Sequence, residues 1–369
     1  MPLDPFFADR LRVHRRYLFD QALGTMRTRL TALLPFGRPV VPATATASPA
    51  APSVVAGKAA KPSPGKPQSA GARARARHRA AALAWDRREL KTVGTRGPGI
   101  PTTEHLVEVD GFPSVRVRIY HPREPDGHVV PACLALFGGA FRIGGIDYPT
   151  TDAGCRRRAA DADVAIVAVD YALAPEHRFP TQIEQAYAVL VWLFGHAAEL
   201  GIARDRIGIL GTSAGGNLAA AVTLLNRDRA KLPLRLQVLE VPVTDLTGKH
   251  IDLAATRALG IPSFIARREL RSVVRTYLPR RGDAKEPYAS PLLAESHAGL
   301  PPAVVLTAEY DPLRADGAAY AAALRAAGVE ASAVQYLGVT HDTPIFTGVL
   351  PAARRWHADV VTALRRLHD

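Results

Sequence analysis

Cysteine is nearly absent from this chain: Cys133 and Cys155 are the only two in 369 residues. Two thiols make no disulfide framework, which argues against a stapled secreted scaffold and for a reducing, cytoplasmic setting. No apolar run reaches the ~18 residues of a membrane span. The opening residues hold Asp4, Asp9 and several Arg with no continuous apolar core, so they do not read as a secretory signal. Acidic residues are scarce early on. Residues 1–100 carry 18 Lys and Arg against 5 Asp and Glu, whereas residues 101–369 carry 29 of each. The net charge of +13 therefore rests wholly on the N-terminal segment. A neutral main body argues against a nucleic-acid partner and leaves a basic arm suited to peripheral contact with anionic lipid.

Four regions follow from the patterning. In residues 1–36, Leu18, Ala22, Met26, Leu30 and Leu33 recur at helical spacing between Pro5 and Pro35, which predicts an amphipathic helix. Its apolar face can pack on the protein's own body, on a membrane surface or on another subunit, a homodimer included. Residues 37–72 are rich in Ala, Pro and Ser and read as a flexible linker. Residues 73–100 open with Arg73, Arg75, Arg77 and Arg79 and predict a short helical segment anchored by Leu83 and Trp85, a candidate part of a cap.

Residues 101–369 alternate short apolar strands with helical patterns, the signature of an α/β fold with a mostly parallel sheet covered on both faces. Strands are expected at Val107–Tyr120 (a hairpin), Cys133–Phe137, Val164–Val169, Ile207–Leu210, Leu236–Val241, Val304–Ala308 and Ala331–Tyr336. Helices are expected at Thr181–Phe194, Gly216–Leu225, Leu313–Ala327 and Leu350–Leu367. The ~60 residues between Val241 and Val304 are too long for a plain loop. Their helical patterns predict a cap inserted near 245–290.

The chemistry is concentrated in Gly211-Thr212-Ser213-Ala214-Gly215-Gly216, between a predicted strand and a predicted helix. A tight strand-to-helix turn flanked by glycine exposes the serine hydroxyl and directs the Ala214 amide to where an oxyanion forms. Such a serine needs a base, and the base an orienting acid. Asp311 and His341 each follow a predicted strand, in the order acid then histidine. Asp245 is a rival acid; Glu309 points into structure, and His357 and His368 are read as surface residues of the last helix. Phe137-Gly138-Gly139-Ala140-Phe141, after an earlier strand, offers Gly139 and Ala140 as further oxyanion donors.

These residues, with Asp170-Tyr171-Ala172-Leu173-Ala174-Pro175-Glu176-His177 and Ala308–Gly317, resemble the hormone-sensitive-lipase family of α/β-hydrolases, in its bacterial esterase branch. The resemblance covers about residues 101–369. It implies the α/β-hydrolase fold, with an eight-stranded sheet and a helical cap. It also implies a triad of Ser213, Asp311 and His341, an oxyanion hole of Gly139, Ala140 and Ala214, and no metal or organic cofactor. The chain departs from the family at Phe137, where a histidine usually stands, at Ala172, usually Arg, and at Asp342, usually Gly. Phe141 and the cap residues Leu259, Ile261, Phe264 and Tyr277 are apolar pocket candidates. The expected activity is hydrolysis of short- to medium-chain acyl esters through an acyl-enzyme. The competing readings are a non-catalytic small-molecule binding protein on the same fold and a membrane-associated lipid hydrolase.

Overall fold

The computed structural model describes residues 1–12, 69–124 and 127–369. Most of the amphipathic helix expected in 1–36 and nearly all of the linker expected in 37–72 lie outside the described residues. The chain divides into two compact units, residues 1–7 with 77–369, and residues 8–76. Among its described residues, the second unit is helical at 8–12 and 70–76. The first unit holds every described strand and the site below.

Eight strands form one sheet: β1 (Thr102–Val109), β2 (Phe112–Tyr120), β3 (Val130–Leu136), β4 (Ala165–Val169), β5 (Ile202–Thr212), β6 (Leu234–Glu240), β7 (Ala303–Tyr310) and β8 (Ala331–Thr340). Their order is β1-β2-β4-β3-β5-β6-β7-β8. The hairpin β1–β2 and the β2–β4 pair are antiparallel, and every other pair is parallel. In β3 (VPACLAL) and β4 (AIVAV) every residue is buried. Such continuous apolar runs are what a parallel strand needs when helices cover both its faces. Edge strand β8 instead leaves Val334 and Leu337 exposed.

The described helices are α1 (residues 5–12), α2 (Ala70–Thr92), α3 (Pro149–Ala162), α4 (Thr181–Gly195), α5 (Ala214–Asp228), α6 (Leu253–Ala258), α7 (Ser263–Tyr277), α8 (Arg314–Ala326) and α9 (Pro351–Arg365). Helices α6 and α7 occupy the long insertion between β6 and β7. Two helices differ from expectation. The segment expected to be short is the 23-residue α2. Helix α3 has no counterpart in the sequence reading. Its buried face is Ala153, Cys155, Ala159 and Ala162, residues too small to produce an apolar stripe. Only Pro149, at the first turn, announces it.

Because the central strands run in one direction, their C-terminal ends share one edge of the sheet. Ser213 follows β5, Asp311 follows β7, His341 follows β8, and the Phe137 loop follows β3. In open α/β sheets this edge is where ligands bind.

Candidate active site

Ser213 lies between β5 and α5 with φ 55° and ψ −114°. Such a conformation is costly for a residue with a Cβ and persists only where its surroundings enforce it. Here they do. The Ser213 amide donates to the Glu240 carbonyl at 2.8 Å, and the Asn217 amide donates to the Ser213 carbonyl at 3.0 Å. The flanking glycines are required by close approach. A Cβ on Gly211 would sit 2.1 Å from the Gly215 carbonyl oxygen, and one on Gly215 would sit 2.0 Å from that of Leu136.

Beneath the turn lies Glu240, fully buried. Its carboxylate accepts hydrogen bonds from Arg158 Nη2 at 2.6 Å, Thr212 Oγ1 at 3.0 Å and Trp356 Nε1 at 2.7 Å. A buried carboxylate with three donors is well compensated. It ties α3 and α9 to the strand that carries the serine.

The structure brings together the three residues proposed from sequence. His341 Nε2 lies 2.9 Å from Ser213 Oγ, and Nδ1 lies 2.7 Å from Asp311 Oδ2. This suits a neutral imidazole that donates from Nδ1 to Asp311 and accepts the serine proton at Nε2. Asp311 is fully buried, and its Oδ1 accepts from the Leu313 amide at 2.9 Å. Burial opposes protonation of His341. The Asp311 carboxylate outweighs that, with Asp342 adding to it, and the imidazole pKa is raised to about 9. An imidazole bridging a hydroxyl and a carboxylate can take the hydroxyl's proton as that oxygen attacks an electrophile.

The rival residues are engaged elsewhere. Asp245 is bonded to His250 Nδ1 at 2.9 Å and to the Thr247 amide at 2.8 Å. Glu309 accepts from the Gly338 amide at 2.6 Å and from the Met1 ammonium at 2.8 Å. His368 bonds the Ala162 carbonyl. His357, expected at the surface, instead pairs with Asp161 at 2.7 Å and lines the cavity beside Ser213.

The Phe137–Phe141 loop follows β3. Ala140 and Phe141 adopt φ of 52° and 60°, and a Cβ on Gly139 would meet the Ile143 carbonyl oxygen at 2.0 Å. Among the described residues no acceptor takes the amides of Gly139, Ala140 or Ala214. Phe137 is buried and stacks on Tyr171, with ring centroids 4.0 Å apart and planes 7° apart. The Tyr171 hydroxyl donates to the Phe137 carbonyl at 2.7 Å. Burial holds the Tyr171 pKa well above its ordinary value, so it remains a donor. A ring stack and a tyrosine hydroxyl thus anchor the loop where a histidine was expected.

A cavity of about 400 Å³ opens against Ser213 and His341. None of the five apolar pocket candidates lines it. Phe141 and Tyr277 are fully buried and stacked on each other at 3.7 Å, outside the lining. Leu259 is buried away from the cavity, and Phe264 is 69% exposed on α7. Ile261, in the α6–α7 turn, is not in the wall either. Apolarity alone does not say which way a short helix faces. The walls come instead from Trp85 and Leu90 of α2, from Ile143 and Ile146 after the loop, and from Arg157 and Arg158 of α3. Sequence reasoning missed the α3 residues because it missed the helix. Pro149, at the first turn of that helix, is the one signal in the sequence. Among the described residues, no cluster of three or more His, Cys, Asp or Glu is placed to hold a metal ion. No described helix is long and apolar enough to cross a membrane.

Residues 133–345 match the family described as alpha/beta hydrolase fold. Carboxylic ester hydrolase LipN of Mycobacterium tuberculosis is 40% identical over 256 residues, which span 66% of this chain and 65% of LipN, just under two thirds of its length. Carboxylesterase NlhH of the same organism is 35% identical over 290 residues, 76% of this chain and 86% of NlhH. Among solved structures, the thermostable carboxylesterase EstE1 from a metagenomic library superposes with a TM-score of 0.72 at 36% identity. That match covers 80% of this chain and 98% of EstE1.

Proposed function

The chain belongs to the hormone-sensitive-lipase family of α/β-hydrolases, whose members here are carboxylic ester hydrolases, and from that premise we propose how its own residues hydrolyse an ester. Ser213 is the nucleophile, His341 the general base and Asp311 the orienting acid. The observation that carries this reading is the unbroken relay, 2.9 Å from hydroxyl to imidazole and 2.7 Å from imidazole to carboxylate.

Ser213 Oγ attacks the ester carbonyl as Nε2 takes its proton. The amides of Gly139, Ala140 and Ala214 receive the oxyanion, and each such donor is worth ~10²–10³ in rate. His341 then protonates the departing alcohol, and water, activated the same way, releases the acid from the acyl-enzyme. Asp311 fixes the imidazole tautomer and stabilises the imidazolium without taking the proton. The cavity volume and its apolar walls fit acyl chains of short to medium length. The reading as a binding protein without catalysis rested on loss of loop order at Phe137, and the Tyr171 stack removes that motive. Peripheral membrane contact through the N-terminal segment, a homodimer and a cytoplasmic location remain proposals. Vesicle co-sedimentation tests the first, light scattering the second and cell fractionation the third.

The deciding experiment is hydrolysis of a chain-length series of nitrophenyl acyl esters by the wild type and by Ser213→Ala. Turnover that falls by ~10⁴-fold or more in the variant is expected. A variant that keeps wild-type rates would assign the chemistry to another residue.

A further inference from the structure

The cavity against Ser213 is mostly apolar where α2 and the loop line it, Asp86 excepted, whereas its α3 wall includes Arg157 and Arg158. Arg158 is matched by the buried Glu240 at 2.6 Å. Arg157 is not matched. Among the described residues it has no carboxylate within ion-pair distance, and its one hydrogen bond runs from Nη1 to the Thr95 carbonyl. The Nε atoms of both arginines are buried without a partner.

The acidic groups around Arg157 are committed elsewhere. Asp161, one turn further along α3, is held by His357 at 2.7 Å. Asp86, in the cavity wall from α2, accepts the Thr150 amide at 3.0 Å and the Thr150 hydroxyl. Asp342 is exposed at the mouth. Burial, with the neighbouring charge of Arg158, pulls the Arg157 pKa down to about 10 and Asp161 offsets this only in part, so the charge is less well stabilised here than in water. A half-buried cation without a counter-ion is costly, and an anion with two oxygens relieves it through paired, charge-assisted hydrogen bonds. Arginine's planar fork suits a carboxylate better than a point charge does.

We propose that the α3 wall is an anion subsite, and that the preferred esters carry a carboxylate remote from the scissile carbonyl, received by Arg157 with Arg158 beside it. The apolar stretch between Ser213 and α3 then takes the methylenes that separate the two ends. This rests on the ester-hydrolase reading of Ser213.

The test compares kcat/KM for mono-nitrophenyl esters of dicarboxylic acids of increasing length with the same compounds capped as methyl esters. A parallel arm uses acetate esters of ω-hydroxy carboxylic acids, which put the carboxylate on the alcohol side. At one chain length, on one of the two arms, the carboxylate should raise kcat/KM about 10- to 100-fold over its neutral counterpart, the range for a hydrogen bond to a charged group. Arg157→Gln should collapse that ratio, and Arg157→Lys should recover part of it. Melting temperatures check that both variants fold. Equal loss on charged and neutral esters in Arg157→Gln would make the residue structural and overturn the proposal. So would the absence of any carboxylate preference at every length on both arms. If the wild type hydrolyses no ester at all, it is the esterase reading that fails. The subsite is then judged by calorimetric titration with free glutarate, adipate and suberate. Binding that Arg157→Gln abolishes supports the subsite, and no binding, or binding unchanged in the variant, overturns it.

Discussion

The base of the relay should work with an unusual pH profile. Two carboxylates act on His341: Asp311, bonded to Nδ1, and Asp342, next in the chain. Together they outweigh burial and raise the imidazole to about 9. A raised pKa means the charged form is favoured, while a general base must be neutral. Activity is therefore gained as pH rises through the raised value and lost as it falls. With the midpoint raised in this way, only a minor share of the enzyme is in the competent form at pH 7. It follows that kcat/KM should climb up to about tenfold per pH unit below the midpoint and level off only above about pH 9. Asp342 is exposed, so Asp342→Asn removes its charge without disturbing the core. The variant's limb should shift to lower pH, with a higher rate at pH 7 relative to its own plateau. Added salt should narrow the gap between the two enzymes, because an exposed charge is screened. The assay is kcat/KM for an uncharged acetate ester, corrected for spontaneous hydrolysis. A wild-type limb centred near the ordinary histidine value of about 6.5 would refute the reasoning. Identical midpoints in the two enzymes would remove Asp342 from it.

Three further outcomes follow from the packing. Gly215→Ala puts a methyl 2.0 Å from the Leu136 carbonyl oxygen, so activity should be lost with a destabilisation of about 1–3 kcal/mol, read by denaturant titration. Phe137→Ala removes the ring stacked on Tyr171 and should cost about 3–5 kcal/mol in the same titration, with kcat falling more than KM rises as the loop amides lose their aim. Trp85→Ala enlarges the α2 wall of the cavity and should move the preferred acyl chain to greater length, with about 10-fold changes in relative kcat/KM across an ester series.

The sheet and the relay were legible because their signals are local. Strands β3 and β4 are unbroken apolar runs, and the turn around Ser213 is spelled by glycines that the backbone contacts require. Asp311 and His341 were legible from their place just after strands, which fixes an edge of the sheet without any knowledge of side-chain packing. The walls were not legible. Helix α3 packs through alanines and a cysteine, so its periodicity carries no hydrophobic contrast. Helix α2 contributes Trp85 and Leu90 to a site whose serine lies more than a hundred residues away in sequence. Cap residues such as Phe264 share the composition of pocket residues while facing outward, because composition carries no direction. Glu240 was invisible for a different reason. Its role comes from three donors on three separate elements, and no spacing in the chain encodes that meeting.

Helix α2 lies outside the stretch, residues 133–345, that matches the hydrolase family, yet it forms one side of the cavity beside Ser213. The reacting groups all lie inside that stretch. Part of the cavity wall thus lies outside the stretch that holds the triad, and that part can drift independently over generations. A chimaera that exchanges residues 77–95 with the matching segment of a relative should acquire the donor's appetite while keeping its own engine.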